Sequence, residues 1–156
     1  MPEKNIVFHI AGISELEYSY KNHLNIPEFS GNAIPENISA GLNVNYRWNL
    51  EKELFGVQID LMFALDNGED GRLEFLKHIS LIEYNVKNLA SIFSAKDKNQ
   101  FKIEKPWEIT FVSLAISTAR GMLASRTAGS FYSRFIFPVI DPSKAILSER
   151  IKAQKF

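Results

Sequence analysis

The segment Trp107 to Arg126, W-E-I-T-F-V-S-L-A-I-S-T-A-R-G-M-L-A-S-R, constrains this chain more than any other. It reads as a helix with almost no polar side. Phe111, Leu114, Ala115, Thr118 and Met122 fall along one stripe at helical spacing; Ile109, Val112, Ile116, Ala119 and Leu123 fall along a second. A surface helix of a small monomer carries one apolar stripe and one charged face. A helix that is apolar all round is covered on both sides or lies in lipid. This apolar run is far shorter than the ~20 residues a membrane span needs, and Arg120 and Arg126 end it. The expectation is a helix with one side on the chain's own sheet and the other on a second subunit. Phe111, Leu114, Ile116, Ala119 and Leu123 are the expected oligomer-interface residues.

The strands come before this helix. Ile38 to Trp48 alternates, with Ile38, Ala40, Leu42, Val44, Tyr46 and Trp48 on one face and polar residues or glycine on the other. Leu54 to Leu65 repeats the pattern through Phe55, Val57, Ile59, Leu61, Phe63 and Leu65. Period two marks a strand with one dry face, and Asn49 to Glu53 suits a hairpin between the pair. The turn formers D-N-G-E-D-G, Asp66 to Gly71, lead to a further strand, Leu73 to Val86. Its apolar phase switches, and a bulge or a change of layer near Ile79 to Leu81 is expected to reconcile the two halves. A first strand, Ile6 to Tyr20, bends near Gly12. Pro106 suits the start of the helix, Glu108 suits its positive end, and Gly129 is a plausible stop. Pro142 and Ser143 open a short second helix, with Ala145, Ile146, Ile151 and Leu147 inward. The fold class is α+β: a four-stranded antiparallel sheet on one long helix in the C-terminal half, then a short C-terminal helix. No repeat or linker divides the 156 residues, so residues 1–156 read as a single domain.

Charge and cysteine usage narrow the function. The formal net charge is +0, which lacks the basic excess that marks nucleic-acid binding. There are no cysteines, so thiol catalysis, disulfides and zinc-thiolate sites are excluded. The N-terminal stretch is too broken for a secretory signal, and a cytoplasmic protein is the expectation. His9, His23 and His78 are scattered and form no metal pair at helical spacing. Gly12-Ile13-Ser14-Glu15-Leu16 lacks the second glycine of a nucleophile elbow. Asp66, Asp70 and Gly71 match three positions of a calcium loop, but Gly68 and Lys77 stand where ligands belong. No cofactor, metal site or catalytic residue is expected.

What remains is apolar matter outside the regular elements. Leu24, Ile26, Phe29 and Ile34 lie in a long proline-containing connection, Lys21 to Asn37. Phe131, Tyr132, Phe135 and Phe137 follow the helix, and Ile92, Phe93 and Phe101 precede it. These residues either close the ends of the sheet–helix core or line an apolar groove for extended polypeptide; the two readings carry similar weight.

Three segments give the order of elements a family likeness. They are S-T-A-R-G-M-L (Ser117 to Leu123), F-I-F-P-V-I-D-P (Phe135 to Pro142) and N-L-A-S-I-F (Asn88 to Phe93). With the strand, long crossover, three meandering strands, helix and apolar tail, the chain resembles the SecB family of export chaperones. The resemblance implies a dimer or tetramer assembled through sheet edges and long helices. It also implies ATP-independent holding of unfolded or slowly folding chains. Carried over, the polypeptide-binding residues are Leu24, Ile26, Phe29, Ile34, Phe131, Tyr132 and Phe135. The translocase motor is a further partner the resemblance implies, with Glu15 and Glu17 as part of such a docking face. This chain is neutral where that family is acidic. A SecB-like chaperone of a toxin–antitoxin system is therefore an alternative, as are a purely structural subunit and a binding protein for a small apolar ligand.

Overall fold

A computed structural model of the protein describes residues 5–31, 33–97, 100–147 and 153–155, with backbone alone for 94–97, 100–101, 147 and 153–155. Phe101, Leu147 and Ile151 are therefore outside the described side chains.

Alternating apolar residues build the sheet. Strands β1 (Phe8–Tyr20), β2 (Ile38–Asn49), β3 (Leu54–Asp66) and β4 (Arg72–Val86) are all antiparallel to their long neighbours, in the order β1-β4-β3-β2. A short hairpin follows, β5 (Phe93–Asp97) with β6 (Gln100–Ile103). Then come the long helix α1 (Lys105–Thr127) and the short helix α2 (Pro142–Leu147). A last segment, β7 (Ala153–Lys155), lies parallel to β2 at Tyr46 to Trp48. The α+β class, the sheet on the long helix and the short second helix agree with the sequence reading. The hairpin of β5 and β6 and the parallel β7 are additions to it.

The β2–β3 ladder runs without a break from Ile38↔Leu65 to Asn49↔Leu54, which places all the alternating apolar residues of both strands on one face. The phase switch in β4 has another site than expected. Phe63 opposes Leu76 and Ala64 opposes Glu74, so Phe75 is the extra residue. The bulge therefore sits at Phe75, not at Ile79 to Leu81. It turns both Phe75 and Leu76 into the core, each 1% exposed. Strand β1 has two more bulges, at Ala11 and Leu16.

Gly68 (φ 60°) and Gly71 (φ 90°) make the β3–β4 turn, in conformations that side chains disfavour. Gly129 (φ 73°) reverses the chain just past α1. Asp141 opens α2 by accepting from the Ser143 backbone N–H at 2.9 Å.

Helix α1 buries one continuous stripe: Glu108, Phe111, Val112, Ala115, Ile116, Ala119, Leu123 and Thr127. The stripe draws on both of the apolar rows seen in the sequence. The helix lies across β3 and β4, the two central strands. A helix is about 10 Å across and strands are about 4.8 Å apart, so one helix shields about two strands. Helix α2 packs on β2. The remaining strand, β1, extends beyond the cover of α1.

Candidate polypeptide-binding surface

The two long irregular segments close one end of the core with aromatic rings. Phe29 packs against Phe75, Phe131 and Phe135 at centroid distances of 4.9, 5.2 and 5.6 Å. Phe135 also meets Phe75 at 5.0 Å and Phe63 at 5.9 Å. Ring pairs at these separations add to the stabilisation from area burial. Ile26, Phe29, Tyr132 and Phe135 are buried in this cluster, and Phe131 is half-buried. Leu24 and Ile34 point outward, 80% and 48% exposed. The structure thus brings Phe29, Phe131, Tyr132 and Phe135 together, while Leu24 and Ile34 stay outside the buried cluster. The Tyr132 hydroxyl donates to the Lys21 carbonyl and ties the two segments together.

The expected interface residues divide in the same way. Phe111, Ile116, Ala119 and Leu123 are buried within the chain, whereas Leu114 is 39% exposed. The opposite face of α1 carries Ser113, Ser117, Gly121 and Ala124, all small residues.

Further apolar exposure lies along β1. Phe8, Ile10, Ile13, Tyr18 and Tyr20 stand opposite Val86, Tyr84, Ile82, His78 and Leu76, which are all buried on the helix side. Cross-strand partners share a face, so these β1 residues also look toward the helix side of the sheet. Because α1 does not reach over them, Ile10 and Ile13 remain 47% and 48% exposed. Leu16 and Tyr20 add to the exposure on this strand, and Val7 just before it. Phe111 packs on Phe8 at 4.9 Å, and Arg126 reaches Glu15 at 3.1 Å, which marks one flank of α1 as the one facing β1. Leu114 and Met122 occur on that flank at helical spacing. The result is an apolar shelf between α1 and β1. Among the described residues, no strand pairs with the outer side of β1, so its edge amides and carbonyls border the shelf.

A polar clip crosses the shelf. The Glu15 carboxylate accepts from the Arg126 guanidinium (Nε 3.2 Å) and lies 3.2 Å from His78 Nε2. His78 is fully buried, and burial holds its pKa below the ordinary histidine value, while Glu15 pulls the other way. His78 Nδ1 and Ser80 Oγ are buried without a partner among the described residues. Both side chains are sealed under the sheet–helix interface, so neither can meet a substrate.

A second buried polar pair lies at the start of α1. Tyr46 donates its hydroxyl to Glu108 at 2.9 Å, and burial raises the pKa values of both groups. The sequence placed Glu108 at the helix N-terminus, but nothing in its spacing pointed to Tyr46, which lies on β2.

Among the described residues, no group of three or more acidic or histidine side chains could hold a metal ion. No helix among them is long and apolar enough to cross a membrane. No protein-family model matches the chain, and no curated protein matches it.

Proposed function

We propose that this protein is an ATP-independent holdase of SecB-like type, which binds unfolded or slowly folding polypeptide. The observation that carries the reading is the apolar shelf beside a strand edge. Ile10, Ile13 and Leu114 offer apolar contact, and the β1 edge offers backbone hydrogen bonds. Extended chains of any sequence can use both, through strand addition and non-directional apolar burial. Leu24, Ile34 and the half-buried Phe131 extend the contact area, while Ile26, Phe29, Tyr132 and Phe135 support it from below. On this reading the protein works in the cytoplasm. Protein export and service to a toxin–antitoxin partner are the two client settings that the resemblance supports.

A second reading is favoured by the same strand. The uncapped edge of β1 and the exposed Leu114 also suit a second copy of this chain, giving a dimer or tetramer. The experiment is aggregation suppression of a reduced, slowly folding client without ATP, beside light scattering of the protein alone. Ile13→Asp and Leu24→Ser alter exposed residues and should spare the core. Weaker suppression by both variants, with melting and mass unchanged, supports the holdase. An inactive wild type that forms a stable oligomer leaves assembly as the function.

A further inference from the structure

The far end of the shelf has a chemistry of its own. Tyr18 and Tyr20 at the end of β1 lie 5.7 Å apart, and Tyr20 meets Tyr132 at 5.2 Å. Tyr132 meets Phe131 at 5.4 Å, and Phe131 stacks on His23 at 4.1 Å with planes 5° apart. These rings form one continuous strip. Tyr20 is 58% exposed; Tyr18, His23 and Phe131 are half-buried, and Tyr132 is the buried link.

A guanidinium stands at each end of the strip. Arg126 lies over the Tyr18 ring at 5.1 Å and Arg134 over the Phe131 ring at 4.2 Å. Stacking on a ring holds a guanidinium in place and leaves its outer edge open to a carboxylate. Arg126 already pairs with Glu15. Arg134 and the exposed Lys21 have no carboxylate within ion-pair distance among the described residues. Nearby Glu17 is held by Lys77 at 3.4 Å. The Arg134 Nε–H donates to the Phe131 carbonyl at 3.1 Å, which leaves its terminal nitrogens; among the described residues the strip thus carries two cations without a carboxylate partner.

We propose that this strip is a selectivity site for extended polypeptide in which aromatic residues alternate with aspartate or glutamate. The inference rests on the holdase reading and adds a preference to it. Aromatic residues of the client would stack on Tyr20 and Phe131, and its carboxylates would meet Arg134 and Lys21. Polypeptide suits the place better than nucleic acid. The edge of β1 runs alongside and can pair with a peptide backbone, whereas two unmatched cations are few for a phosphate chain.

The test uses the full chain and two fluorescein-labelled peptides of equal length, one alternating phenylalanine with aspartate, the other phenylalanine with lysine. Anisotropy at low salt should give tighter binding of the acidic peptide. Exposed ion pairs are worth a few tenths to 1 kcal/mol, so Arg134→Gln and Lys21→Gln should each cost about threefold for that peptide alone. Arg134→Lys should keep most of the preference, and added salt should reduce it. Equal binding of the two peptides, or tighter binding of the basic one, overturns the site; continued suppression of client aggregation then shows that the holdase reading survives. If neither peptide nor unfolded client binds, both readings fall. A labelled oligothymidylate that binds as tightly as the acidic peptide, with the same loss in Arg134→Gln, overturns the choice of polypeptide.

Discussion

Helix α1 provides the sharpest test of how the fold is held together, because Phe111 and Leu114 lie one turn apart with opposite surroundings. Phe111 is fully buried and packs on Phe8 and Tyr84 at 4.9 Å and on Phe55 at 5.2 Å. Phe111→Ala removes a whole ring from a place where three other rings cannot collapse freely. The expected cost is about 3–5 kcal/mol. For a chain of this size each kcal/mol moves the melting temperature by about 2–4 °C, so the drop should be about 6–20 °C. Leu114 already meets solvent, and its loss leaves a surface dent rather than a cavity. Leu114→Ala should cost only about 1 kcal/mol within a single chain. A second copy covering Leu114 adds a cost that grows with protein concentration. Scanning calorimetry at concentrations about a hundredfold apart separates the two contributions. Equal losses for the two variants at the lower concentration would refute the burial asymmetry. A concentration-independent Leu114→Ala effect, with a monomer in light scattering, would refute assembly through this flank.

Other substitutions probe the polar groups and the turns. Burial raises Glu108 above the ordinary carboxyl value, so its favourable contribution is full in acid and is lost as pH rises through the raised value. Tyr46→Phe removes a hydroxyl that steadies the ionised form and should cost about 1–3 kcal/mol in urea unfolding, more near neutrality than at about pH 4. His78 carries the opposite sign. Its folded pKa lies below 6.5, so stability is full above that pH and falls as pH drops toward the folded value. His78→Gln should flatten this dependence between about pH 7 and 5, visible in urea midpoints; an unchanged slope assigns the titration elsewhere. Gly71→Ala forces a side chain into φ 90°, ψ −158° and should cost about 1–3 kcal/mol in thermal or urea melts, whereas Gly71→Ala without a measurable loss would mean that the turn relaxes.

How far the sequence revealed this fold depends on the element. Strands β2 and β3 were legible because no bulge disturbs their pairing, so periodicity in sequence equals facing in space. In β4 the switch was visible, but its place was not, since Phe75, Leu76, Leu81 and Ile82 are all buried and hide the extra residue among apolar neighbours. The bulge at Ala11 puts Ile10 and Ile13 on one face although they are three apart, which a period of two cannot express. The helix looked apolar all round because small residues and back-bonded hydroxyls count as non-charged. Thr118, for example, donates to the Leu114 carbonyl at 2.9 Å and presents little polarity. In the irregular segments the sequence identified the apolar residues but not their directions. Leu24 and Ile26 are two apart, one exposed and one buried, and the difference comes from two successive 3₁₀ turns.

The bulges at Ala11 and Leu16 have a consequence for how β1 coexists with water. A long apolar edge with unpaired amides is a template on which copies of the chain could stack without end. Fibril growth needs a straight, evenly spaced ladder that each new strand can copy. Along β1 the register slips after Ile10 and again after Glu15, so the even runs are short: Phe8 to Ile10, Gly12 to Glu15 and Glu17 to Tyr20. An incoming strand must therefore bend and skip where β1 does. A pliant, unfolded segment can do that; a rigid strand repeated identically cannot. On the holdase reading, the irregular edge would admit transient guests while denying them a pattern to propagate.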